Sequence, residues 1–195
     1  MSREARQRRG RLAAAFLRDR SGVAAVEFAL ISPTIILILV GLIDLGGMLY
    51  TRFKLDSSLS AATNYAMVNG ASVSSSSGAA LASTLAGLIA SGQSANWAGS
   101  SVNVNNGPTA SSSGGTVTTG GTASNADNCY CPTGNSNTGV TWGVAKTCAS
   151  TCTGGGYAGK FVLLSATRNY TPLFSGYGIV GSNGTITTTS LVQVQ

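Results

Sequence analysis

From Phe28 to Ile43 the chain carries no charged residue, and the apolar pattern around that stretch extends from Val23 to Gly47. At about 1.5 Å per residue, a helix over those positions spans the roughly 30 Å hydrocarbon layer of a bilayer with modest tilt. One crossing helix is therefore expected, with everything after it on one side of the membrane. At the mouth of the apolar run sits an acid, Glu27. A charge at mid-bilayer costs roughly 2.5–3.5 kcal/mol on insertion scales and less near the edge, so an acid there calls for a specific partner.

Seven of the 12 basic residues fall in the first 20 positions, at Arg3, Arg6, Arg8, Arg9, Arg11, Arg18 and Arg20, opposed only by Glu4 and Asp19. The net charge of +6 is thus mostly a property of this tail. Its position directly before the apolar run reads as the positive-inside signal, which holds the amino terminus in the cytoplasm, and not as a nucleic-acid-binding arm. No A-x-A-like pattern follows the apolar core closely enough to act as a secretory cleavage site, so the helix is expected to stay in the protein. Pro33 predicts a mild kink, with Ser32 available to the freed carbonyl. The organisation expected is a basic leader over 1–22, a transmembrane helix over 23–47 and one extracytoplasmic domain over 48–195, long enough to bury a core.

Helical periodicity continues past the membrane. Leu45, Met48, Leu55, Leu59, Ala62 and Ala66 recur on one face, and Asn69-Gly70 is a stop signal, which predicts a single helix from about Val23 to Val68. A second helix is expected over Ala79–Ser91, with Leu81, Leu85 and Leu88 as its stripe. Between Ser94 and Gly159 the chain is dominated by Ser, Thr, Gly and Asn, with candidate strands at Ser101–Asn105 and Thr116–Thr119. Strand character returns at Lys160–Tyr170 and Thr185–Gln195. The latter alternates so that Ile186, Val192 and Val194 share a face, and the two are expected to pair antiparallel across the Pro172–Gly184 connection. The fold class predicted is α+β, a long helix packed on a small antiparallel sheet.

Gly22, the run Ala25-Val26-Glu27-Phe28-Ala29, Pro33 and the patch Asp44-Leu45-Gly46-Gly47 together resemble the amino-terminal segment of TadE-like proteins, pilin-like components of tight-adherence (Flp-type) pilus systems. The resemblance covers about 45 residues, counted directly along the sequence. It implies that a prepilin peptidase cuts after Gly22, leaving Val23 as the new amino terminus and Glu27 as its fifth residue. It also implies that Glu27 pairs with the freed amine of a neighbouring subunit, which offsets the desolvation of both charges in a helical bundle. Close helix approach or bending is expected around Gly41, Gly46 and Gly47. Two departures point to a minor pilin-like subunit: valine is the first mature residue where ordinary type IV pilins commonly have phenylalanine, and Flp major pilins are far shorter. The implied partners are the prepilin peptidase, other pilin-like and assembly-platform proteins, and inner-membrane lipid.

Cys129, Cys131, Cys148 and Cys152 can be read as four zinc thiolates or as two disulfides. The predicted topology places them in an oxidising periplasm, which favours bridges. With one residue between them, Cys129 and Cys131 are poorly placed to bond each other, so each joins Cys148 or Cys152, and both connectivities remain open. Tyr130 and Trp142 are candidates to pack against this staple, Trp142 alternatively being a partner contact. Gly154 to Lys160 has the spacing of a phosphate-binding loop, but Phe161 stands where Ser or Thr is needed and no apolar strand precedes it, so a glycine turn is expected. With no histidine in the chain and Asp127 the only acid beyond Asp56, no acid/base pair is available, and neither catalytic residues nor a cofactor are expected. The alternative to a pilus component is an uncleaved, single-pass protein displaying a binding or adhesion module in the envelope.

Overall fold

The structure is a computed structural model that describes residues 22–135, 139–174 and 184–195. The basic leader, apart from Gly22, and most of the connection expected over Pro172–Gly184 lie outside the described residues. The chain divides into two compact units, Met1–Asp44 and Leu45–Gln195. Helix α1, Val23–Val68, contains Pro33 without interruption and belongs to both.

The second unit is α+β. Its remaining elements are α2 (Gly78–Ala90), β1 (Gly99–Val104), β2 (Pro108–Ser113), β3 (Thr116–Gly121), β4 (Thr133–Asn135), β5 (Gly139–Thr141), β6 (Phe161–Tyr170) and β7 (Gly184–Gln193), with single 3-10 turns at Gly70–Ser72 and Ala123–Asp127. Five strands form one antiparallel sheet in the order β3-β2-β1-β6-β7, and β4 and β5 form a separate hairpin. The β6–β7 pairing runs from Phe161 opposite Gln193 to Tyr170 opposite Gly184, as the sequence pattern predicted.

Alternation builds the core. Val102 and Val104 of β1, Ala110 of β2, Val162, Leu164 and Ala166 of β6 and Ile186 of β7 point to one face of the sheet. Against it lie Leu55, Leu59, Ala62 and Ala66 of α1 and Leu81, Ala82, Leu85, Ala86 and Ile89 of α2. Two positions expected in these stripes lie outside them. Leu45 is 48% exposed, because at 100° per residue it is rotated roughly 70° from the line through Leu55, Leu59, Ala62 and Ala66. Leu88 is 41% exposed, since the stripe of α2 centres on Ala82, Leu85 and Ile89 and leaves Leu88 about 100° away.

Strand β2 was not anticipated, and its composition explains why. Its buried side chains are Pro108, Ala110 and Ser112, too small to give a strand signal, and their size lets α2 approach closely. A Cβ on Gly78 would come within 3.0 Å of the Pro108 ring. The buried Ser100 hydroxyl donates to the Ala86 carbonyl at 2.8 Å, tying β1 directly to α2. Of the helix glycines, Gly46 faces open space, whereas a Cβ on Gly47 would meet the Tyr170 hydroxyl at 2.8 Å.

Strand β1 stops one residue before the expected end. Asn105 and Asn106 both have left-handed backbones, with φ of 54° and 56°, so the chain turns out of the sheet there. Asparagine tolerates this conformation better than other non-glycine residues, and Asn-Asn-Gly-Pro is a turn signature in its own right.

Candidate functional site

Two regions carry the residues singled out by sequence. The first is the start of α1. Gly22 directly precedes the helix, and its carbonyl accepts the Val26 N–H at 3.1 Å, so the Gly22–Val23 peptide bond lies at the first helical turn. Val23 and Glu27 are four residues apart and therefore on one face. Every residue from Gly22 to Ile31 is exposed, including Val23, Val26, Phe28 and Leu30. Among the described residues, α1 is the one helix long and apolar enough to cross a membrane. An apolar rod exposed on all sides needs lipid or other apolar helices around it.

The second region is the lobe between Asn128 and Lys160. The structure joins Cys129 to Cys148 and Cys131 to Cys152, so the two bridges interleave along the chain. The bonded sulfurs leave no thiolate for a metal. Sequence separations of 19 and 21 correspond to about 3 kcal/mol per bridge in the chain-entropy account, a substantial contribution in a lobe with few large apolar residues. At its base, Tyr130 and Gly159 exchange backbone hydrogen bonds of 2.9 and 3.1 Å. Tyr130 is buried, and Trp142 stands edge-on to it with ring centroids 6.0 Å apart. Trp142 is thus held in place by Tyr130 while remaining partly open to solvent.

Lobe and sheet together enclose a groove of about 750 Å³, walled by the Cys131–Cys152 bridge, Trp142, Tyr157 and Lys146 on one side and by Phe161, Leu191 and Gln193 of the outer sheet face on the other. Tyr157 is 64% exposed. Sequence reasoning reached Trp142 but missed Tyr157 and Lys146, which come to the groove through pairing within the lobe, Lys146 by its backbone bridge to Cys129 and Tyr157 by its bridge to Thr151. The glycine run is a turn: Gly155 and Gly156 have left-handed backbones, and the Cys152 N–H donates to the Gly156 carbonyl. The Lys160 amine donates to the Val73 carbonyl at 2.7 Å, and a strand follows it.

One acid outside both regions has a defined task. The Asp127 carboxylate accepts the Ser75 N–H at 2.8 Å and so pins the segment before α2 to the 3-10 turn at Ala123–Asp127. Hydrogen bonding from Ser75 holds this carboxyl below its ordinary value of 3.8, with the Lys160 charge acting in the same direction. A depressed carboxyl stabilises the fold at pH values above its unfolded pKa, and that contribution disappears as pH falls through the lower folded value. Thermal melts of the wild type and Asp127→Asn are therefore expected to differ at about pH 6 and to converge as pH falls through the lowered folded value; a constant difference on acidification would remove the ionised carboxylate from the account.

Against known families, residues 22–63 match the family described as TadE-like protein. No curated protein and no solved structure matches the chain. The matched segment begins at the glycine immediately before α1 and ends within the part of that helix packed on the sheet. Over residues 22–63, a little over a fifth of its length, the chain is similar to the TadE-like family.

Proposed function

We propose that the protein is a pilin-like structural or assembly component, a minor pseudopilin, of a tight-adherence type IV pilus. The observation that carries this reading is the coincidence of the TadE-like segment with the start of α1: Gly22 ends where the helix begins, and Glu27 lies one turn further on. In this reading a prepilin peptidase cuts after Gly22. The arginine-rich leader stays on the cytoplasmic side of the inner membrane, α1 bundles with equivalent helices, and the sheet domain faces the periplasm, where its bridges persist. The role is assembly, without catalytic turnover. Partners are the peptidase, other pilin-like subunits, platform proteins and inner-membrane lipid.

The groove beside Trp142 supports a second reading, an uncleaved anchored module that binds an envelope ligand. Intact mass separates the two. Protein from host membranes, under non-reducing conditions and after thiol labelling, is expected to lose residues 1–22 only where the peptidase is present and to take up no label. A full-length chain in both hosts would favour the anchored binding module, and labelled thiols would contradict the two bridges.

A further inference from the structure

Strand β3 is an unguarded sheet edge. All six of its residues, Thr116 to Gly121, are exposed, and among the described residues it has a strand neighbour on one side only. Natural sheets blunt such edges with lysine, proline, inward charges or bulges, because a free row of N–H and C=O groups templates pairing with another chain. β3 has none of these: its register with β2 is continuous from Pro108 opposite Gly121 to Ser113 opposite Thr116, and no charged residue occurs between Asp56 and Asp127.

Hairpin geometry identifies which groups are free. Gly114 and Gly115, both left-handed with φ of 56° and 88°, form a two-residue turn closed by the pair Ser113 and Thr116. The closing pair of such a turn exchanges hydrogen bonds, and pairs alternate from there. Thr116, Thr118 and Gly120 therefore direct their backbone groups to β2, and Val117 and Thr119 direct theirs outward. Pro108 fits this alternation, since it lies opposite Gly121, where no donor toward β3 is required.

We propose that β3 pairs antiparallel with β3 of a second copy of this chain, about a two-fold axis through Thr118. The strand is self-complementary in that register. Val117 of one copy exchanges both hydrogen bonds with Thr119 of the other, β-branched side chains lie opposite one another, and Thr118 faces its own counterpart in a favourable threonine pair. The uncharged surroundings bring the copies together without repulsion. This pairing is independent of processing after Gly22 and of the pilus reading.

Thr118→Cys tests the register. At a non-hydrogen-bonded antiparallel pair the two Cα atoms lie about 4.5 Å apart, within disulfide range. The full-length variant in detergent micelles, mildly oxidised, is expected to shift to the dimer mass on a non-reducing gel. Val117→Cys, whose counterpart sits two residues out of register, is expected to stay monomeric. Adding Thr119→Pro to Thr118→Cys removes an outward donor without touching the bonds to β2, and should abolish the cross-link. A monomeric Thr118→Cys, equal cross-linking at position 117, or cross-linking that survives the proline would each overturn the proposal. The unmodified protein provides a check that needs no new cysteine: amide exchange at Val117 and Thr119 should slow as protein concentration rises, and concentration-independent exchange would also overturn it.

Discussion

Asn105→Ala is expected to destabilise the sheet domain by about 4 kcal/mol, taking the low end of 1–3 kcal/mol for each of three orphaned backbone groups and about 1 kcal/mol for alanine in a left-handed backbone. Asn105 is fully buried. Its side-chain nitrogen donates to the carbonyls of Ala126 at 3.0 Å and Asn128 at 2.6 Å, and its side-chain oxygen accepts the Phe161 N–H at 3.1 Å. One side chain thus joins the end of β1, the 3-10 turn and the start of β6, its bond to Ala126 buried and its bonds to Asn128 and Phe161 partly so. For a domain of this size the loss corresponds to roughly 10 °C in melting temperature, readable by tryptophan fluorescence from Trp97 and Trp142. Asn105→Asp keeps the acceptor for Phe161 but turns oxygen toward two carbonyls, and should melt at least as low. A melting temperature for Asn105→Ala within 2 °C of wild type would contradict this account of the junction.

If the chain is the pilus component proposed above, Glu27→Ala is expected to reduce surface pili to background while leaving cleavage after Gly22 intact. Four residues at 1.5 Å each separate Val23 from Glu27 by about 6 Å along the helix, so a copy shifted by that rise brings its amine beside its neighbour's carboxylate. Removing the acid leaves the amine charge unpaired among apolar helices, a cost of roughly 3–5 kcal/mol per contact for a buried pair broken on one side. Immunoblots of sheared surface fractions beside intact mass of the membrane-bound chain separate assembly from processing. Normal piliation would sink the pairing, and loss of cleavage would move Glu27 from assembly to peptidase recognition. Glu27→Gln, which keeps the shape without the charge, should fall with alanine if the charge pair is what matters.

The long elements were legible because large apolar residues repeat on them: α1 ends at Val68 as periodicity and Asn69-Gly70 indicated, and β6 and β7 pair as their β-branched residues suggested. What stayed hidden has physical causes. β2 is built from proline, alanine and serine, chosen by the close approach of α2, and such residues carry no strand signal. Leu45 and Leu88 met the spacing rule, yet a helix face is only as wide as the surface it covers, and both fall beyond its edge. The cysteine connectivity was open because either pairing closes loops of nearly equal length. The strand pattern places Asn105 at a strand end, although the Asn-Asn-Gly-Pro sequence around it contains the turn that makes it a junction. The groove beside Trp142 depends on long-range contacts between lobe and sheet, which no local pattern encodes.

Tyr130 and Gly159, bonded to each other at the base of the lobe, give the chain a place where its length is nearly free to change. A closed base means that residues between 131 and 158 leave and re-enter the domain at one point, and doubling such a loop costs only about 0.6 kcal/mol in closure entropy. The lobe needs its two anchoring residues and its four bridged cysteines, Cys129, Cys131, Cys148 and Cys152, whereas the stretches between those cysteines can be shortened or lengthened. An epitope or a foreign binding loop grafted between those cysteines would be carried outward on a frame held closed by the two bridges and the Tyr130–Gly159 pair.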